Sequence, residues 1–294
     1  MKITRSSAIQ SLVLAATLSS GLSFVSPVSA QQHSYIVDLT SKNVTDLGSL
    51  GTGDTNAQGI NDAGQVVGSS YAPGSRDGEN WAAFITGPNG VGMANLGLGS
   101  GDYNWSSSSG INAAGQVVAN QEGYSFVYDG HPAYYTSAYI SGPNGVGMTF
   151  LGTLGGQNSS AVGINDTGQV VGTSSITPPF GIQEPPWDIV SHTHAFITGP
   201  NGVGMTDLGT MGGYDSEANG INAAGQVVGW SDTFAGLQHA FITGPNGVGM
   251  TDLGTLGGSN SEANGINAAG QVVGWSDTAA GVQHAFITAP MAWA

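Results

Sequence analysis

The chain has 294 residues, 49 of them glycine and none cysteine, with 4 lysines and arginines against 19 aspartates and glutamates. Without cysteine there are no disulfides, no thiol catalysis and no cysteine-based zinc site. A formal net charge of −15 excludes phosphate backbones and anionic lipid surfaces as natural partners, because like charges repel.

The first 30 residues carry Lys2 and Arg5, then a run of small and aliphatic residues, then Val28-Ser29-Ala30. A positive start, an apolar stretch and small residues at the −3 and −1 positions predict a secretory signal peptide cleaved after Ala30. The apolar run is short for a membrane span, and no other long apolar run follows. Residues 31–294 are therefore predicted to form one exported, soluble domain, secreted or periplasmic, with Lys42 and Arg76 as its only lysine and arginine.

The glycines are periodic. Gly-Ile-Asn occurs at Gly59, Gly110, Gly163, Gly220 and Gly265, each followed five residues later by Gly64, Gly115, Gly168, Gly225 or Gly270 and then Gln-Val-Val. A second block recurs at Phe84, Tyr139, Phe196, Phe241 and Phe286, and Met93, Met148, Met205 and Met250 stand nine residues beyond the first four. In chain order each repeat reads as a strand, an Asn-to-Gly turn, a Gln-Val-Val strand, a loop, an Ala-Phe-Ile-Thr strand, a Gly-Pro-Asn-Gly turn and a Met-Thr-Asp-Leu-Gly strand. No stretch has a sustained helical period, so the chain is predicted to be all-β.

Four short antiparallel strands in about 45 residues make a β-propeller blade; a parallel β-helix fits less well, its coils being shorter. Five repeats predict five blades. The fifth Met-Thr-Asp-Leu-Gly strand is expected from the other end of the chain, where Val44 precedes Gly59 by fifteen residues. Residues 43–48 are thus predicted to complete the last blade, built by residues 261–288, and so to close the ring.

The stretch Asp252-Leu253-Gly254-Thr255-Leu256-Gly257-Gly258, with the following Gly-Ile-Asn-Ala-Ala-Gly-Gln-Val-Val-Gly-Trp-Ser-Asp and His284-Ala285-Phe286-Ile287-Thr288, resembles the HAF-repeat family of predicted extracellular bacterial proteins. The resemblance spans residues 44–288 and is most specific in the last two repeats. In the first two, Ala82 and Ser137 replace the histidine, and Ala119 replaces the glycine after Val-Val. It implies export and repetition rather than a particular activity.

His194, His239 and His284 recur before Ala-Phe and are read as structural hydrogen-bonding groups. His192 and His194, with Asp188 nearby, fall short of a zinc-ligand set, so no metal or other cofactor is assigned. Trp230 with Asp232, and Trp275 with Asp277, are either packing residues or aromatic platforms beside carboxylates. Glu217 and Glu262 are repeat-equivalent, whereas Glu79, Glu122 and Glu184 are unique but lie in variable segments rather than on predicted inner strands. A glycoside hydrolase needs a rigid carboxylate pair, so an enzyme is not expected.

Length variation is confined to one loop type. From the turn glycine to the third-strand aromatic the spacing is 20, 24, 28, 16 and 16 residues. The three long loops are expected on one side of one rim. Trp81, Tyr128 and Trp187 are the predicted aromatic anchors, with Asp77, Asp129 and Asp188 as hydroxyl acceptors. The reading is a non-enzymatic module that binds a glycan or a cell-surface partner, against a structural envelope or matrix protein as the alternative.

Overall fold

The computed structural model describes residues 11–15, 32–51, 53–72, 81–98, 104–126, 132–176 and 192–290. All long elements are strands, as the periodicity predicts. β1 (Ser11–Ala15), β2 (Ser34–Asp38) and β3 (Val44–Asp46) form a three-stranded antiparallel sheet in that order. The first repeat is a four-stranded sheet of β4 (Thr55–Ile60), β5 (Val66–Tyr71), β6 (Trp81–Thr86) and β7 (Met93–Asn95). The second contributes β8 (Asn104–Ile111), β9 (Val117–Phe126), β10 (Pro132–Ser141) and β11 (Met148–Phe150). The third has β12 (Gly155–Ile164), β13 (Val170–Ile176), β14 (Thr193–Thr198) and β15 (Met205–Asp207). The fourth has β16 (Gly212–Ile221), β17 (Val227–Thr233), β18 (Gln238–Thr243) and β19 (Met250–Gly254). In the last repeat β20 (Gly257–Ile266), β21 (Val272–Thr278) and β22 (Gln283–Ile287) make a sheet of three strands among the described residues. The chain divides into two compact units, residues 1–124 with 141–148 and residues 125–140 with 149–294, so the division runs inside the second repeat.

Residues 43–48 do not complete the last sheet. β3 pairs with β2, setting Tyr35 opposite Asp46, Ile36 opposite Thr45 and Val37 opposite Val44. The reason lies in residues 33–46, which are themselves a third strand, a turn and a fourth strand. His33 Nδ1 meets Asp46 Oδ2 at 3.0 Å across a 13-residue separation, and His239 meets Asp252 across the same separation. A local partner closes a far shorter loop than one at the other end of the chain. The turn differs from its counterparts, with Lys42 rather than Asn-Gly taking positive φ, which hides the likeness in the sequence.

Neighbouring sheets are stitched by the residues that make the repeat visible. Asn222 Oδ1 accepts the amides of Ala224 and Gln226 at 3.0 and 3.1 Å, closing the turn. Its Nδ2 donates to Gln226 Oε1 at 2.8 Å and, across to the next sheet, to the carbonyl of Asn267 at 3.1 Å. Asn61 reaches the carbonyl of Asn112 in the same way. Gln65 and Gln169 donate Nε2 to the side-chain oxygens of Asn144 and Asn246 in the following Pro-Asn-Gly turns. Third-strand amides donate to first-strand serines of the next sheet, Ala195 to Ser216 and Ala240 to Ser261.

The layer between sheets is apolar and buried. Val228, Ala240 and Ile242 are wholly buried and pack against Ala263 and Val272 of the next sheet. The turn glycines set the spacing: a Cβ on Gly247, which has φ +75°, would lie 2.8 Å from Ile197 and 2.9 Å from Leu208 of the preceding sheet. Glycine is needed there both for its positive φ and for the close approach.

Candidate functional site

An open cleft lies between β6 and β8 in the first unit. Trp81 is half-buried at the start of β6, whose next residues, Ala82 to Thr86, are all buried. Trp81 stands opposite Tyr71 in the β5–β6 register, and the two rings meet edge to face at 5.5 Å and 73°. In the adjoining sheet Trp105 stands opposite Glu122. Ser69, Trp81, Trp105, Ser106, Ser107 and Glu122 line an open cleft of about 250 Å³. Ser106 is committed to the fold: its Oγ accepts the Ala83 amide at 2.9 Å and donates to the Leu98 carbonyl at 3.0 Å. The cleft therefore offers two indole surfaces, an exposed carboxylate and the hydroxyls of Ser69 and Ser107. Aromatic faces with a few hydroxyl acceptors suit the amphipathic ring of a neutral sugar.

Of the predicted anchors, Trp81 lines this cleft; Asp77, Tyr128, Asp129, Trp187 and Asp188 lie outside the described residues. Trp105 was missed because it lies on a first strand rather than in a long loop. Its signal was available: five residues before Gly-Ile-Asn the other repeats carry Asp54, Asn158, Asp215 and Asn260, and only the second carries an aromatic. Glu122, read as a loop glutamate, sits on β9 because the strand runs on to Phe126.

Trp230 and Trp275 are placed elsewhere, in the second unit. Each stands opposite a glutamate, Trp230 with Glu217 and Trp275 with Glu262. Asn219 Nδ2 donates to Glu262 Oε1 at 2.9 Å and Gln238 Nε2 to Oε2 at 3.4 Å, so these residues stitch the fourth sheet to the fifth. Asp277 accepts the amide and side chain of Asn260 within its own sheet; Asp232 is half-buried on β17. Burial pushes the Glu217 carboxyl above the ordinary glutamate range, the charge of Glu262 pushes it the same way, and the Trp230 indole N–H opposes them. A raised folded value means that the native state holds the proton more tightly, so ionisation costs stability above pH 4.5 and nothing well below it. Glu217→Gln is accordingly expected to raise the melting temperature at pH 7, the gain shrinking as the pH falls toward the unfolded value of 4.5. A gain that grows on acidification would show the opposite sign.

The histidines form ion-pair positions with side chains. His194 Nδ1 lies 2.9 Å from Asp207 and His239 Nδ1 2.9 Å from Asp252. Each aspartate also caps the following turn, Asp207 accepting the Gly209 amide and Asp252 that of Gly254. Burial opposes ionisation of Asp46, but the Gly48 amide and His33 outweigh it and hold that carboxyl below the usual range. His192 stacks on Tyr214 at 4.8 Å and faces Asp215 at 3.6 Å. His192 and His194 thus turn to different partners, and no group of three metal-ligating side chains occurs among the described residues. Nor is any helix among them long and apolar enough to cross a membrane.

No family model matches the chain, and no curated protein matches it in sequence. Solved structures do match in shape. TolB from Acinetobacter baumannii aligns at a TM-score of 0.43 and 11% identity over 87% of this chain and 60% of its own. Hydrazine synthase of Kuenenia stuttgartiensis aligns at 0.47 and 8% over 88% of this chain and 40% of its own. A nidogen/laminin complex structure aligns at 0.42 and 10% over 87% and 89%. The chain thus spans 60% or less of the first two.

Proposed function

We propose that this is an exported, non-enzymatic binding protein of the HAF-repeat kind, its repeats forming the blades of a β-propeller, and that it takes a neutral glycan between Trp81 and Trp105. The observation that carries the reading is the cleft itself: two tryptophans from adjacent sheets flank hydroxyls and, among the described residues, one carboxylate. The residues Lys2, Arg5 and Val28-Ser29-Ala30 support export, and the period of about 45 residues supports blades. Among the described residues the cleft holds one carboxylate, where glycoside hydrolysis uses two, and this favours binding over turnover. The near absence of lysine and arginine disfavours an anionic sugar.

A glycan array comparing the wild type with Trp81→Ala, Trp105→Ala and Glu122→Gln tests this. Each tryptophan variant should lose tenfold or more in affinity, since stripping an aromatic contact of this kind costs about 1.4 kcal/mol or more. Glu122→Gln should weaken binding by less, because an amide still accepts a hydroxyl proton. Equal retention by wild type and both tryptophan variants would remove the cleft from the function; no retention of any glycan would favour a structural envelope or matrix role.

A further inference from the structure

The boundary that carries the Trp81–Trp105 cleft differs from the other sheet boundaries in one backbone hydrogen bond. Elsewhere the amide three residues before the third-strand aromatic donates to an aspartate or asparagine of the next sheet. Gln32 donates to Asp54 at 2.7 Å, Thr136 to Asn158 at 3.0 Å, Thr193 to Asp215 at 2.7 Å and Gln238 to Asn260 at 3.3 Å. In the first sheet the corresponding donor is Trp81, and the acceptor position holds Trp105. An indole offers no acceptor. The strand beneath differs as well. β8 pairs with β9 in unbroken register from Asn104 to Ser108, whereas the third, fourth and fifth repeats have a register shift just before Ser159, Ser216 and Ser261.

The direction of the Trp81 N–H follows from strand pairing. Tyr71 stands opposite Trp81, and the Tyr71 amide donates to the Asp54 carbonyl. The backbone polar groups of Tyr71 therefore face β4, and its pair with Trp81 is a non-hydrogen-bonded one. The Trp81 N–H points away from β5. On that side β7 pairs with β6 only as far as Phe84 opposite Asn95, followed by the Leu96 amide on the Ala83 carbonyl. The Trp81 N–H is thus directed at the gap between β6 and β8, which is the cleft. The cleft combines a backbone donor, the Glu122 carboxylate as acceptor and two indole surfaces.

We propose, resting on the reading of this cleft as a site for a neutral glycan, that it selects N-acetylated hexosamine residues over plain hexoses. An acetamido group carries an acceptor, a donor and a methyl group on one planar unit. Its carbonyl oxygen accepts the Trp81 N–H in place of the missing Asx side chain, and its N–H donates to Glu122. The methyl group and the apolar face of the pyranose lie against the two indoles. A hydroxyl on the same carbon fills neither the apolar surface nor both polar partners, and a site left with an unpaired polar group discriminates against such a ligand. The volume of about 250 Å³ is smaller than the pockets of about 300 Å³ and above that hold drug-sized ligands, so one residue of an oligosaccharide occupies it.

The probes are tri-N-acetylchitotriose, cellotriose and the glucosamine trisaccharide, which share a β-1,4 backbone and differ at the second carbon, titrated calorimetrically into the full chain. Tri-N-acetylchitotriose should bind about tenfold tighter than cellotriose or better, and the glucosamine trisaccharide, lacking the carbonyl, should bind more weakly than its acetylated counterpart. Glu122→Ala, at an exposed position, should narrow the preference for the acetylated trisaccharide. With the six tryptophans labelled with nitrogen-15, the Trp81 backbone amide proton, assigned by its absence in Trp81→Phe, should move downfield with tri-N-acetylchitotriose and less with cellotriose. Equal binding of the two neutral trisaccharides would overturn the selectivity and leave the glycan reading standing. Tighter binding of the glucosamine trisaccharide, or a Trp81 amide unmoved at saturation, would also overturn it. No binding of any trisaccharide, with the glycan array blank as well, would remove the reading and this inference together.

Discussion

Phe241→Ala is expected to cost about 3–5 kcal/mol of stability, the range for emptying a fully buried aromatic site. Phe241 is inaccessible to solvent and packs with Val171, Ala195, Ile197, Ala218 and Val227, residues from two adjoining sheets. Phe286 occupies the same place in the repeat but is only half-buried. Phe286→Ala should therefore cost less than half as much. Denaturant unfolding followed by far-UV circular dichroism measures both. Equal losses would mean that the last sheet is covered in solution as fully as the fourth.

The second large effect is expected at the turn asparagine. Asn222→Ala removes an oxygen that holds two backbone amides and a donor that holds Gln226 and the carbonyl of Asn267. Because Asn222 is buried, the abandoned groups stay away from water, and the loss should reach about 3 kcal/mol. Asn267 makes the same contacts within its own turn, but there they are exposed. Water can replace them, so Asn267→Ala should cost about 1 kcal/mol or less. Hydrogen exchange at the amides of Ala224 and Gln226 gives a local readout: both should lose protection in Asn222→Ala. Retained protection would mean that the asparagine is not what holds the turn.

These contrasts show where sequence reasoning succeeds. The strand count per repeat, the turns and the antiparallel pairing were legible because each depends on local chemistry. Gly-Pro-Asn-Gly can hardly be anything but a turn, and Gln-Val-Val-Gly with Ala-Phe-Ile-Thr has the period of half-buried strands. The N-terminal strand pair was missed because its turn, Leu39 to Asn43, shares no residue pattern with Gly-Pro-Asn-Gly, although His33 and Asp46 keep the repeat's spacing. The cleft was only half legible. Trp81 was visible as an aromatic closing a long loop, but its pairing with Trp105 depends on which edges of two adjoining sheets come together.

By itself, then, the sequence determined the all-β class, the four-strand repeat, the absence of thiol chemistry and the excess of acidic residues, because composition and short-range periodicity decide these. Only the tertiary structure decided that residues 44–46 pair with residues 35–37, that Trp81 and Trp105 share a cleft, and that Asn222 is buried where Asn267 is exposed. The physical reason is that identical repeats carry identical local preferences, whereas burial and hydrogen-bond satisfaction depend on which neighbour each repeat has.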